Sequence, residues 1–193
     1  MADYNVIYEI GQSIIELLKR EITPEPIQNK EAIGLAIPHE PEDYQLTVWT
    51  YNIEEINETG LSAGYKKDPV NPNIEIYSPM QIKCYVLITA HSKAPVQVRL
   101  SDEYRIIGRA IQIIRDNPLI QTKDLVGSLK TDGMPLQLQI QKLNMEEMTK
   151  IWNNANKPIK PSFGLTVNIS MESTRTRTIG ARVKDADISI IQK

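Results

Sequence analysis

Few residues in this sequence are suited to chemistry: two histidines, a single cysteine and three short runs of carboxylates. A general base or a zinc ligand needs an imidazole held beside a second group. His39 lies in the proline-broken stretch Pro38-His39-Glu40-Pro41 and His91 ends a β-rich run, so neither has the i, i+4 partner that puts two ligands on one helix face. Cys84 follows the apolar parity of its run, where a thiol is a small buried hydrophobe and no neighbouring cation draws out the thiolate. A single cysteine also excludes an internal disulfide and a multi-cysteine metal site. Glu54-Glu55 and Glu146-Glu147 have the composition of a general acid and base. The second pair falls in the first turn of a helix, where carboxylates offset the helix dipole. Glu40-Pro41-Glu42-Asp43 is dense enough for a hard cation but lacks the glycine-turned loop of a calcium site. The chain contains no GxGxxG, no P-loop and no GxSxG. The expectation is a chain without catalytic residues, metal ligands or cofactor.

Basic residues tell a different story. Residues 173–193 carry Arg175, Arg177, Arg182 and Lys184, with no acid before Asp185, and close on Ile188, Ile190 and Ile191. Phosphate contacts use such residues. The arm has no interleaved aromatic for base stacking and the whole chain is slightly acidic, so nucleic acid is the weaker reading. Alternating Thr and Arg suits an edge strand kept from aggregating until it meets its partner. Strand addition to a neighbouring subunit is the expected use, and Arg175, Arg177, Arg182, Lys184, Ile188 and Ile190 are the candidate assembly residues.

The elements that position these groups follow from periodicity. Ile7, Ile10, Ile14 and Leu17 recur at three and four, predicting an amphipathic helix that ends at Thr23-Pro24. A short strand at Ile33 to Ile37 and a longer one at Tyr44 to Ile53 follow. Leu46 and Val48 lie on one face of the longer strand and Trp49, Tyr51 and Ile53 on the other, as where both sides are covered. Residues 54–79 hold two glycines, three prolines and an Asn-Pro-Asn turn signal without a sustained period, and read as a long loop. Met80 to Ala90 alternates cleanly as a central strand. Ser101 is a candidate cap for a second helix carrying Tyr104, Ile107, Ile111 and Ile114 and stopped by Asn117-Pro118. Leu136, Leu138 and Ile140 alternate with glutamines as one half-buried strand, and Asn144 with Glu147 marks a capping box for a third helix containing Met148, Ile151 and Trp152. Ser162 to Met171 is a second strong strand. The order suggests an α+β domain over 1–172, a mostly antiparallel sheet with about three packed helices, followed by the extended arm 173–193.

Composition agrees with an assembly role. The apolar fraction of 41% and charged fraction of 24% are those of a globular chain, long enough for its own core. There is no apolar run of membrane-spanning length and no secretory signal, so folding in the cytoplasm is expected. Residues 1–60 hold 12 acids against 3 bases, whereas the rest holds 12 acids against 19 bases. An acidic face and a basic face favour head-to-tail contact between identical copies.

Several segments in order resemble the cap or tail-terminator family of extracellular contractile injection systems, the phage-tail-like particles of the antifeeding-prophage and virulence-cassette type. They are the N-terminal helix, Leu46-Thr47-Val48-Trp49-Thr50-Tyr51, the strand Ile82 to Ala90, the helix Ile107 to Ile114 with Asn117-Pro118-Leu119-Ile120, Leu143 to Trp152, and the strand Ser162 to Met171. The resemblance covers most of residues 3–172. It implies a structural, non-catalytic subunit of a homo-oligomeric ring, sixfold, set on the last layer of inner tube protein and touching the last layer of sheath protein. It would assemble in the cytoplasm and then form part of the released or cell-associated particle. Two departures from the family are expected, the lack of a second C-terminal domain of the kind longer members carry and the stretch 54–79. Two other classes fit less of the sequence: a head-tail neck or completion protein of a phage, and a small ligand-binding or regulatory module.

Overall fold

Strand β5 (Met80–Ala90) alternates Ile82, Cys84, Val86, Ile88 and Ala90 on one face, and all five are buried. Period-two apolar patterning of this kind commits a strand to the middle of a sheet. The computed structural model, which describes residues 3–56, 64–71, 73–153 and 158–179, places β5 there. It pairs antiparallel with β2 (Leu46–Glu55) on one side and with β9 (Ser162–Met171) on the other. The five-stranded order is β1-β2-β5-β9-β8, with β1 (Ile33–Leu35) parallel to β2 and β8 (Gln139–Gln141) antiparallel to β9. The fold is therefore α+β with a mostly antiparallel sheet, as the sequence implied.

Two long helices lie against the face that carries Cys84. In α1 (Val6–Ile22), Val6, Ile10, Ile14, Leu17 and Leu18 are buried at helical spacing. In α2 (Val96–Asp116), Ile106, Ile107, Ala110, Ile113 and Ile114 are buried. These residues form one core with the apolar faces of β5 and β9. The second face of the sheet is aromatic. Trp49, Tyr51 and Tyr85 run across it with ring centroids about 6 Å apart. Helix α4 (Met145–Trp152) ends beside it, where Trp152 meets His39 edge-on at 6.1 Å. Trp49 and Tyr51 are half-buried while Leu46 and Val48 are fully buried, so the two faces of β2 are covered to different degrees. A register irregularity between Thr50 and Asn52 accompanies the change to the exposed residues Asn52–Glu55.

Several sequence expectations are corrected. The second helix starts at Val96, with Pro95 before it, and Ser101 lies inside it, its hydroxyl donating back to the Val98 carbonyl rather than capping. The stretch Leu136 to Gln141 is two strands. Residues of β7 (Leu136–Gln137) pair with β6 (Leu119–Ile120), and β8 then joins the large sheet, so Leu136 and Leu138 are buried but Ile140 is 47% exposed. A fourth, short helix α3 (Gly127–Asp132) precedes β7. The 54–79 stretch is no uniform loop: it supplies the end of β2 and two strands, β3 (Tyr65–Lys67) and β4 (Ile74–Tyr77). Strand β4 also pairs with β10 (Thr176–Thr178).

By contact density the chain divides into two units, Met1–Asn57 with Met80–Glu172, and Glu58–Pro79 with Ser173–Lys193. Among the described residues the first contains the five-stranded sheet and four α-helices, and the second a three-stranded antiparallel sheet in the order β10-β4-β3.

Candidate assembly surfaces

The side chains singled out for chemistry are engaged in structural work. Cys84 is fully buried, and burial pushes its thiol up to about 11, the reverse of an activated nucleophile. His91 is also buried; desolvation, helped by the Lys160 ammonium, lowers its pKa to about 4. Its Nε2 lies 3.1 Å from the Thr47 hydroxyl and its backbone N–H donates to the Gln45 carbonyl. His39 packs edge-on to both Trp49 and Trp152. Glu54 accepts from the Tyr85 hydroxyl at 2.7 Å and from Asn52, and Glu147 completes the capping box with Asn144, both bonds 2.8 Å. Glu146 pairs with Lys150 one turn on. Asp43 is held ionised by Lys93, which donates to it at 2.7 Å and lowers its pKa. Among the described residues no three His, Cys, Asp or Glu side chains converge as a metal site would require, and no helix is long and apolar enough to cross a membrane.

A polar clamp joins the end of β5 to the start of β9 and to α2. Thr89 and Ser162 share a 2.9 Å hydrogen bond, and the Ala90 N–H donates to the Pro161 carbonyl. Ser92 donates to Asp102 at 2.5 Å. Glu103, 2% exposed, accepts from the Lys160 ammonium at 2.5 Å and from the Ser92 N–H. A buried carboxylate without such partners would be strongly destabilising. The clamp fixes α2 at Asp102 and Glu103, and burial of the helix begins there. The six residues before it, Val96–Ser101, are all exposed, with Val96 at 76%, Val98 at 49% and Leu100 at 54%. A groove of about 540 Å³ opens next to the clamp, lined in part by Pro26, Glu31, Asp43, Lys93 and Asp102, three acids to one base.

One structural residue escaped sequence reasoning. Glu9 is buried on the apolar stripe of α1, where it accepts from the Ser128 N–H, the Ser128 hydroxyl and the Leu129 N–H at 2.9, 2.6 and 3.2 Å. These are orphan donors at the start of α3. Gly127, with φ of 62°, makes the turn possible, since a Cβ there would fall 2.0 Å from the Glu9 carboxylate. The available signal was an acid flanked by Val6, Ile10 and Ser13 on a buried helix face.

In the three-stranded sheet, register puts Tyr65 opposite Tyr77 and sets Lys67, Glu75 and Arg177 in one row. The two tyrosines meet edge-on at 5.2 Å. Arg177 donates from Nε to Glu75 at 2.7 Å and lies over the Tyr65 ring at 4.1 Å, yet its side chain remains 59% exposed. The Arg175 carbonyl accepts from the Tyr77 N–H, and the Ile179 N–H donates to the Asn73 carbonyl. The expectation that the arm finds its partner only outside the subunit is thus corrected for Thr176–Thr178, which pair with Ile74–Ile76 of the same chain. The strand resembles an edge, but β4 offers unfilled hydrogen-bonding groups nearer at hand. Of the six candidate assembly residues, Arg175 and Arg177 come together here; Arg182, Lys184, Ile188 and Ile190 lie outside the described residues.

Comparison with known proteins gives a consistent answer. No curated protein sequence matches the chain. Among solved structures, the sheath/tube terminator of the PVC extracellular contractile injection system in its extended state superposes with a TM-score of 0.66 at 14% identity, covering 100% of this chain and 65% of that one. The tube-terminating cap of the anti-feeding prophage gives 0.58 at 15% identity, covering 94% and 60%. The chain thus spans somewhat under two thirds of the length of these structures. The sequence pattern of the Pvc16 N-terminal domain matches residues 9–185, nearly the whole chain, and by that match the chain belongs to the Pvc16 N-terminal domain family.

Proposed function

We propose that this chain is a structural terminator subunit: several copies form a ring, sixfold by family resemblance, that closes the inner tube of a contractile phage-tail-like particle and contacts its sheath. The observation that carries this reading is the fold itself, shared over essentially the full chain with a sheath/tube terminator and with a tube-terminating cap. The role is non-catalytic. In support, the cysteine is sealed in the core with a raised pKa, and Nε2 of the buried His91 is paired with the Thr47 hydroxyl. In this reading the chain folds in the cytoplasm and leaves it only as part of the particle. The Arg175 and Arg177 segment is part of the assembly surface, and residues 1–172 with the arm 173–193 act as body and attachment.

The direct test is to express the tube and sheath proteins of one particle with and without this chain and to measure particle lengths by electron microscopy. Lengths should be defined and ends blunt with the chain present, and tubes should lengthen or lose sheath in its absence. Length distributions that coincide in the two cases would overturn the reading.

A further inference from the structure

Two surface features remain after the fold is accounted for. The first is the start of α2. Its first six residues bury nothing, lack a side-chain cap and have no acid in the first turn, yet they expose Val96, Val98 and Leu100. Short helical segments are marginal without packing, and Val96 and Leu100, one turn apart, put an exposed aliphatic pair on one side of the helix, with Val98 on the opposite side. Beside it lies the groove with Glu31, Asp43 and Asp102, in which Glu31 and Asp43 have side chains 82% and 99% exposed. The groove is acidic, three carboxylates to the Lys93 that pairs with Asp43, and the turns beside it are aliphatic with one base, Arg99. The second feature is the row Tyr65, Lys67 and Arg177 of the three-stranded sheet, aromatic and basic, with Glu75 its single acid.

We propose that these two surfaces are the halves of a heterologous contact between copies: the acidic groove and projecting α2 turns of one subunit receive the Tyr65–Lys67–Arg177 face of a second copy. Charge complementarity selects this occupant, because the two faces carry opposite excess charge and each adds apolar area that the other would cover. Arg177 is suited to the role. Glu75 engages one edge of its guanidinium and Tyr65 stacks on its plane, which orients the remaining donors outward toward a carboxylate. A contact between unlike patches propagates head to tail, the type of contact from which a ring is built, so the inference deepens the terminator reading and rests on it.

The test uses the full chain and follows association by sedimentation velocity at low and high salt. Wild type should associate, and less at high salt. Two independent sets of variants should each weaken association by about tenfold or more: Lys67→Glu with Arg177→Glu on one face, and Val96→Ser with Leu100→Ser on the other. The second pair touches only exposed residues, so loss of folding is not a competing explanation. Adding Glu31→Arg and Asp43→Arg to the first set should restore association. Monomeric wild type at low salt, variants that associate like wild type, or a charge swap without rescue would each overturn the proposal. Particle lengths separate the two readings. If the interface variants still terminate tubes normally, the proposed contact fails and the terminator role stands. If wild type associates through these faces but leaves tube length unchanged, the contact stands and the role fails.

Discussion

The five-stranded sheet and the three-stranded sheet of this chain are held by different forces. In the first unit the apolar faces of β5 and β9 and two helices form one closed core, and the buried polar groups Glu9, Thr47, Thr89, His91 and Glu103 have hydrogen-bonding or ionic partners. In the second unit no described residue is buried. Its order rests on backbone ladders, one tyrosine pair, and an arginine shared between a carboxylate and a ring. Three short strands without a buried face are marginal, whereas apolar burial contributes about 25 cal/mol per Å². The first unit is thus equipped to fold by itself, and the second stands to gain most from a partner.

The comparison breaks most readily at the aromatic face of the large sheet. Trp152→Ala removes the only buried residue of α4 and should cost about 3–5 kcal/mol in chemical unfolding; an unchanged midpoint would mean that α4 is not anchored there. Glu9→Ala should cost about 2–4 kcal/mol, because it leaves the Leu129 N–H unpaired in a buried place and the Ser128 N–H in a half-buried one, and Glu9→Gln should recover part of the loss. The third test is pH. His91 has its folded-state pKa lowered to about 4, below an unfolded value of about 6.5, so its contribution is complete above the unfolded value and is lost as pH falls toward the folded one. Between about pH 7 and pH 4.5 wild type should lose about 1–3 kcal/mol more than His91→Gln, which keeps every other titratable group. Equal losses would show that His91 protonates freely in the folded state. The smallest effect is expected in the second unit: Arg177→Ala, at a largely exposed pair, should shift stability by less than about 1 kcal/mol. A large destabilisation there would abolish the contrast between the two sheets.

Legibility in the sequence followed the same division. The bounds of β5 and β9 match the expected strands, because apolar residues alternate strictly along the face of each that meets the core, while Val86–Ala90 and Phe163–Val167 are covered on the other face as well. Both bonds of the Asn144–Glu147 capping box are present, since that motif is local and requires only the residues that form it. The start of α2 was missed for a physical reason. Val96, Val98 and Leu100 alternate with polar residues, a period-two signal, but the segment continues a helix anchored at Glu103 and has no buried face to imprint a helical period. Likewise Leu136, Leu138 and Ile140 alternate without a break, yet the chain changes sheets between Gln137 and Gln139. Periodicity reports which residues face apolar surroundings and is silent on which strand they join.

The sequence by itself determined the class of the fold, the two central strands, the apolar faces of both long helices, and the inert setting of Cys84, because these depend on local patterns of burial. It also carried the charge asymmetry and the ordered segments by which the family is legible. Only the tertiary structure decided that Glu9 closes the start of α3 from 119 residues away, that Glu103 and Lys160 pair beneath α2, and that Thr176–Thr178 complete a sheet with β4. Each of these joins groups distant along the chain. A donor, an acceptor or a strand edge can be read from its own residue, but its partner is chosen by the fold that brings the two within reach.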